Sequence, residues 1–358
     1  MEFLESFVAF TNDILWSYVL IVMLVGLGIW FSLRTRFVQV RCLKEMVRLL
    51  KEGVGQKTEH NHISSFQAFC VSTASRVGVG NIAGIAIAIV SGGPGAIFWM
   101  WIAAFLGMAT IFGEAIMAQK YKHVGKDGHV TGGPVYYIQA AFKGTFGKIL
   151  AAVFSVLIIF ALGFMGNAVQ SNSIASAFHT AFGIPQIVVG IIIAVIALFV
   201  FVGGISRIAK VTETIVPIMA CFYIIGSLIV IFANFKEIPY AFYSIVVGAF
   251  KPSAVSGGAV GATVKLALTK GVARGLFSNE AGMGSTPHAH AVAKVEHPVE
   301  QGFVAMIGVF IDTFVILNLT ALVIITTQSI PTGLTGTALS QYAFSSVFGK
   351  FGNVFIAI

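Results

Sequence analysis

Two stretches of this 358-residue chain interrupt apolar sequence with glycines and small polar residues: Ser72–Gly84, STASRVGVGNIAG, and Gly275–Ser285, GLFSNEAGMGS. An unpaired amide or carbonyl in hydrocarbon costs several kcal/mol, so a broken span persists only where its backbone is buried in protein or lines a polar cavity. In the first stretch Gly78, Gly80 and Gly84 lack the Cβ that obstructs close approach. An unwound segment there can present carbonyls to a cation and amides to a carboxylate. Asn81 adds one acceptor and two donors. Close helix packing is the plainer use of such glycines, but Asn81 and Thr73 beside them argue against packing alone. The second stretch sets Ser278, Asn279 and Glu280 in succession, then Ala281, Gly282, Met283 and Gly284. An ionisable group at membrane depth is functional by default. Glu280 either ligates or counters a cation, or is a structural acid satisfied by the amides of unwound backbone. Arg76 either pairs with Glu280 or another acid, or reaches the cytoplasmic water.

A third polar set, Gly166, Asn167, Gln170, Ser171 and Asn172, is more than a lipid-facing helix tolerates. Asn167 shares a helix face with Gln170 and Ser171, which suits either hydrogen bonding to a zwitterion or interhelical contact. Glu114 and Asp312 are lone acids in apolar surroundings; structural pairing is expected for Glu114, and Asp312 is left open. His288, His290 and His297 lack accompanying carboxylates or cysteines in a ligand pattern and are expected at the interface. GVGNIAG has the spacing of neither phosphate-binding motif. No nucleophile elbow, catalytic carboxylate pair or zinc-protease motif occurs, so no enzyme is expected.

The elements that position these groups must cross a membrane. The chain is 57% hydrophobic and 10% charged, with a mean hydropathy of +0.92. Its 39 glycines suit close helix packing in lipid. Cys42, Cys70 and Cys221 have no metal-ligand spacing and indicate no disulfide framework. Acidic residues, not a basic region, precede the first span at Trp16–Leu33, a poor match to a secretory signal peptide. Arg34, Arg36, Arg41, Lys44, Arg48, Lys51 and Lys57 follow it, placing that loop in the cytoplasm and the N-terminus outside. This bias accounts for the net charge of +8 without nucleic-acid binding. Further spans are expected at Phe66–Gly92, Gly95–Gln119, Gly147–Phe178, Pro185–Ile205, Ala209–Ala233, Ala254–His288 and Gln301–Thr327, with a last one beginning near Val347. Loops rich in Lys alternate with loops lacking Lys and Arg as far as the less informative stretch holding Lys236 and Lys251.

Counted from the first break, five helices end near Ala233 and the second break opens the next unit. Five is odd, so the second unit enters from the opposite side, as in an inverted repeat. The expected divisions are 1–62, a transmembrane helix and basic loop; 63–233, the first repeat; and 234–358, the second.

The strings SRVGVGNIAG (Ser75–Gly84), GGPGAIFWMWIAAFLGMAT (Gly92–Thr110), GGPVYYI (Gly132–Ile138), GLFSNEAGMGS, HPVEQGF (His297–Phe303) and FIDT (Phe310–Thr313) closely resemble the alanine or glycine:cation symporter family, along nearly the whole chain. The resemblance implies an all-α polytopic membrane protein of leucine-transporter type, with one extra N-terminal helix. It further implies uptake of alanine or glycine across the cell's inner (plasma) membrane, coupled to Na⁺ or less often H⁺, with no other cofactor. By motif, Asn81 and Gln170 look like the side chains that hold the amino acid's polar groups, with Asn172 an alternative to Gln170. The amides from Gly78 through Gly80 to Asn81 would take the carboxylate, and Phe277, Ser278, Asn279 and Gly282 would form the facing wall. The cation is expected at Thr73, Ala74, Val77 and Gly78. Family members run on for roughly another three helices, so the second repeat is expected to be incomplete. A truncated, transport-incompetent protein or sensor that retains the pocket is therefore the alternative expectation.

Overall fold

A computed structural model describes residues 2–55, 62–126, 128–251 and 263–358, nearly all of them helical. The first helix, α1, covers residues 2–34 as Glu2–Ile14, a π-helical turn at Leu15–Val19, and Leu20–Arg34. It thus begins well before the expected Trp16. Within the basic loop lies a helix not foreseen, α2 (Leu43–Glu52). Its Leu43, Met46, Val47 and Leu50 recur at helical spacing on one face, and Met46 is buried against the bundle. The first broken span is α3 (Ser65–Arg76) and α4 (Gly80–Gly92), bent by 46° between them. A Ser64–Gln67 capping box starts α3 by satisfying two end amides reciprocally.

Next comes α5 (Gly95–Lys120), followed by a two-stranded antiparallel ribbon, β1 (His123–Val124) and β2 (Val130–Thr131), and the short α6 (Pro134–Ala141). Beyond these lie α7 (Thr145–Phe182), α8 (Gln186–Phe201) and α9 (Gly204–Ala233). The Lys236–Lys251 stretch, read from sequence as a loop, holds α10 (Ile238–Phe250). The second broken span is α11 (Val264–Asn279) followed by α12 (Pro287–Val292); the expected start near Ala254 lies outside the described residues. Then come α13 (Pro298–Thr326), α14 (Gly336–Phe348) and α15 (Lys350–Ala357). Near Val347, where a last span is expected to begin, α14 ends and α15 starts. Residue 347 lies at the end of α14, and Gly349, at φ +60, turns the chain into α15, which packs back against α14.

Among the described residues α5, α7, α9 and α13 are long and apolar enough to cross a bilayer, as is the bent α3–α4 pair taken as one span. The chain is an all-α polytopic membrane protein. Its centre is α5, packed on α11 and α13. Small residues let neighbouring backbones approach α5 closely: a Cβ on Gly95 would stand 2.2 Å from the Gly248 backbone of α10, and one on Gly271 of α11 2.4 Å from the Ala96 carbonyl. Gly271, halfway along α11, thus lies beside the start of α5, while Ser278 and Glu280 at its end meet Asn81 and Ser75. The two broken helices therefore run antiparallel, with their interruptions side by side.

Candidate functional site

The first interruption is short. The amide of Val77 closes α3 on the Thr73 carbonyl (2.7 Å), and Val77 itself is extended, at φ −81 and ψ 100. The amides of Gly78, Val79 and Gly80 form no backbone hydrogen bond within the described residues. Those of Asn81 and Ile82 both go to the Gly78 carbonyl, at 3.1 and 3.3 Å. The open donors are thus Gly78, Val79 and Gly80, at the positive end of α4, and the Asn81 amide is not among them.

Behind this turn lies a buried polar knot. Asn81 Nδ2 donates to Asp312 Oδ1 (2.9 Å), and Ser278 Oγ stands 2.7 Å from Asn81 Oδ1 and 3.1 Å from Asp312 Oδ2, able to donate to one at a time. Thr313 Oγ1 donates to the same carboxylate (3.1 Å). Asn81, Asp312 and Thr313 are wholly buried and Ser278 nearly so. The knot joins three elements, and two of them are locally underwound into π-helix, at Gly80–Gly84 and Ile311–Leu317. A third such segment, Ile159–Gly166, lies in α7 across the cavity described below. Each widened turn displaces a backbone bond and aims side chains off the regular helical face.

The second interruption is longer, and its amides from Glu280 to Gly284 are occupied. Glu280 ends α11 in the left-handed conformation (φ +56), and its amide bonds the Leu276 carbonyl (2.9 Å). The amide of Ala281 goes to Asn279 Oδ1 (3.1 Å) and that of Met283 to the Glu280 carbonyl (3.2 Å). Those of Gly282 and Gly284 go to the two oxygens of Glu114, at 2.9 and 3.1 Å. Glu114 thus has a structural partner, which is the broken backbone itself. The Glu280 carboxylate accepts from Ser75 Oγ and Ser285 Oγ, each at 2.5 Å, so hydroxyls rather than unwound amides satisfy it.

Arg76 is 1% exposed, and none of its guanidinium nitrogens has a hydrogen-bond partner among the described residues. Glu280, Asp312 and Glu114 are the carboxylates that act on it electrostatically. Neither a paired nor a water-reaching Arg76 describes this arrangement: it is a buried cation surrounded at longer range by three acids. Asn279 Nδ2 and Thr73 Oγ1 are likewise buried without a partner.

Between α3, α4, α7 and α11 lies a cavity of about 210 Å³, lined by Ser75, Arg76, Val79, Gly80, Asn167, Gln170, Phe277, Glu280 and Met283, among others. Of the residues singled out from sequence, Gly80, Gln170 and Phe277 face this space, while Asn81, Ser278 and Asn279 are fully buried residues outside its lining. Gly80 is held close to the facing helix, a Cβ there meeting Ser278 Cα at 3.8 Å and Phe277 Cδ1 at 4.0 Å. A Cβ on Gly78 would meet nothing within 4 Å. Gly282 does not join this group. It packs toward Leu24 and Thr110 and turns its amide to Glu114. Thr73, Ala74 and Val77 lie on the last turn of α3 beside the break, the Thr73 carbonyl already accepting from Val77. Asn167 Nδ2 bonds its own helix at Gly163 (2.9 Å). The histidines divide: His288 is exposed, but His290, expected at the interface, is fully buried and bonds Gln301 Oε1 through Nδ1 (2.8 Å). Asp312, left open from sequence, is the acid of the knot; the signal was a lone carboxylate inside an apolar run.

A buried acid, a row of open amides and two antiparallel broken helices thus lie together, and comparison with known proteins shows the family to which the chain belongs. The family model for the sodium:alanine symporter family matches residues 1–358. The probable sodium/glutamine symporter GlnT of Bacillus subtilis is 47% identical over 358 residues, covering 100% of this chain and 73% of that protein. The amino-acid carrier protein AlsT of the same organism is 44% identical, covering 100% and 74%. The sodium/alanine symporter AgcS of Methanococcus maripaludis is 41% identical over 357 residues, covering 98% and 78%. The chain belongs to the sodium:alanine symporter family.

Proposed function

We propose that the chain carries a small neutral amino acid, alanine or glycine, into the cell together with Na⁺. The observation that carries this reading is the row of open amides at Gly78, Val79 and Gly80 beside the cavity. These donors, at the positive end of α4, suit the substrate carboxylate. Gln170 takes one of the remaining polar groups and Phe277 forms the opposite wall, while Asn81, Ser278 and Asn279 support the two breaks from behind that lining. Gly282 contributes by letting the second break turn.

Na⁺ is a hard cation that takes oxygen ligands. The cation site is placed at the end of α3, with the Thr73 hydroxyl and the backbone of Ala74, Val77 and Gly78. Asp312 supplies negative charge from the adjoining knot. Substrate carboxylate and cation then lie close enough for each to raise the other's affinity by the same factor. H⁺ is the alternative coupling ion. Transport follows by alternating access, the two inverted five-helix sets of a leucine-transporter type fold rocking about the midplane site. In this topology the basic loop after α1 is cytoplasmic and the N-terminus is outside, in the plasma membrane.

The 47% identity to a probable sodium/glutamine symporter makes glutamine the second candidate substrate. Uptake of labelled alanine, glycine and glutamine into vesicles holding the full chain, under an imposed Na⁺ gradient, decides among these readings. Accumulation of alanine or glycine that collapses with the gradient is expected. Binding without gradient-driven accumulation overturns symport, and accumulation of glutamine alone overturns the small-substrate reading.

A further inference from the structure

Where α1 ends, three arginines gather around one cleft. Arg34, Arg36 and Arg41 line a cavity of about 430 Å³, with Val38, Phe112 and Phe303 among its apolar walls. Among the described residues no carboxylate lies within 4.0 Å of any of the three; the ion pairs there are those of Arg48 with Glu45 and Glu52. Arg48 is thereby occupied, and its hydrogen bond holds the Glu45 carboxyl below the usual carboxylate range. The cleft arginines are held only lightly by the protein. Arg41 Nη2 donates to the Thr35 carbonyl at 3.3 Å, and Arg34 lies over the Trp30 ring at 5.8 Å.

The turn that carries Arg36 is unusual. The amides of Arg36 and Phe37 bond back to Leu33 and Ser32, closing α1 in the manner that normally places glycine at the left-handed position. Here Arg36 and Phe37 take φ of +54 and +51. A side chain at such a position is held against its own preference. Orientation in the membrane requires basic charge in this loop. It does not require three arginines to converge on a cleft whose walls come from α5 and α13 as well.

The geometry points to a binding site for the headgroup of an anionic phospholipid, its phosphate among the three arginines and its first acyl carbons on Val38, Phe112 and Phe303. Guanidinium groups match phosphate oxygens bidentately and are weakly hydrated. The apolar wall, of no use to a free phosphate ion, suits a lipid. The exposed Phe37, Val40, Leu43 and Val47 alongside would set α2 in the plane of the interface. Basic pockets between helices at this level are a known solution for such headgroups.

The test is native mass spectrometry of the purified full chain titrated with phosphatidylglycerol or phosphatidylcholine. Four proteins are compared: the parent, Arg36→Gln/Arg41→Gln, Lys44→Gln/Lys51→Gln and Arg34→Lys/Arg36→Lys/Arg41→Lys. At about fivefold per interfacial cation, the arginine pair should weaken phosphatidylglycerol binding roughly thirtyfold. The lysine pair should change it little, and phosphatidylcholine should bind weakly throughout. Arg34→Lys/Arg36→Lys/Arg41→Lys keeps the charge that orients the chain and should still lose affinity, because the bidentate geometry is gone. Equal loss in the arginine and lysine pairs would reduce the effect to diffuse charge and overturn the site. So would equal binding of both lipids, or displacement of the lipid by millimolar inorganic phosphate.

Discussion

The two interruptions lie side by side in antiparallel helices, yet they treat their backbone donors in opposite ways. At the first, three successive amides have no backbone acceptor and open beside a cavity. At the second, the amides from Glu280 to Gly284 are all taken, two of them by the carboxylate of Glu114. Both breaks expose donors that hydrocarbon cannot satisfy. One break carries its anion permanently, as a side chain of α5. The other leaves the place free, and a carboxylate that arrives with a substrate can fill it. A broken helix in a membrane is therefore not in itself a ligand site. It becomes one only where the protein has not already supplied the partner.

Removing the resident anion should break this contrast most severely. Glu114→Ala leaves two amides without acceptors in a buried setting, at about 1–3 kcal/mol each, so a loss of about 2–6 kcal/mol is expected. Thermal unfolding of the purified protein in detergent checks this. Glu114→Gln, which keeps an acceptor for one of the two amides but sets an NH2 donor against the other, should lose less than Glu114→Ala, and a Glu114→Ala protein as stable as the parent would mean that the second break is not held by this side chain. Next in size is Asp312→Asn. It removes the charge of the knot while Asn81, Ser278 and Thr313 can still be hydrogen-bonded, so folding should survive. The charge-assisted part, about 1.5–3 kcal/mol, corresponds to a fall in Na⁺ affinity of roughly ten- to a hundredfold. Substrate-stimulated Na⁺ binding measures it, and unchanged Na⁺ dependence would separate Asp312 from cation binding.

Both breaks were legible in the sequence because glycines and small polar residues within an apolar run leave few other readings. The knot was legible only in part. Asn81 and Ser278 sit inside the two motifs, whereas Asp312 is one acid in an apolar run, and its role depends on a helix that meets Asn81 across 231 positions of chain. Glu114 could be expected to have a structural partner but not which one, since Gly282 and Gly284 lie 168 and 170 residues away. The helices missed, α2, α6, α10 and α14, have 10, 8, 13 and 13 residues. Each is too short for a search tuned to bilayer thickness, and α2 shows itself only through the spacing of its apolar face. Near Val347, where the last span is expected to begin, the left-handed Gly349 ends α14 and α15 starts at Lys350.

The smaller effects sharpen the first break rather than destroy it. Gly80→Ala puts a methyl group 3.8 Å from Ser278 Cα and 4.0 Å from Phe277 Cδ1, ordinary contact distances, so the helix should form as before. Alanine also favours helix over glycine by up to about 1 kcal/mol, which excludes simple unfolding as the cause of any loss. The methyl nonetheless stands at the cavity wall beside an open amide, and alanine should suffer more than glycine because it brings a methyl of its own. A reduction of about fivefold in alanine affinity is the expected size, close to the ~1 kcal/mol typical of one misplaced methylene. Gln170→Ala should do less. Gln170 is exposed and belongs to α7, the least buried of the long spans. In the proposed site its contact with substrate would be a single neutral hydrogen bond, about 0.5–1.5 kcal/mol, so KM for alanine uptake should rise two- to about tenfold with kcat unchanged. The comparison between the breaks turns on this order. If Gln170→Ala costs more affinity than Gly80→Ala, the substrate is held chiefly by α7, and the open amides of the first break are not where its carboxylate rests.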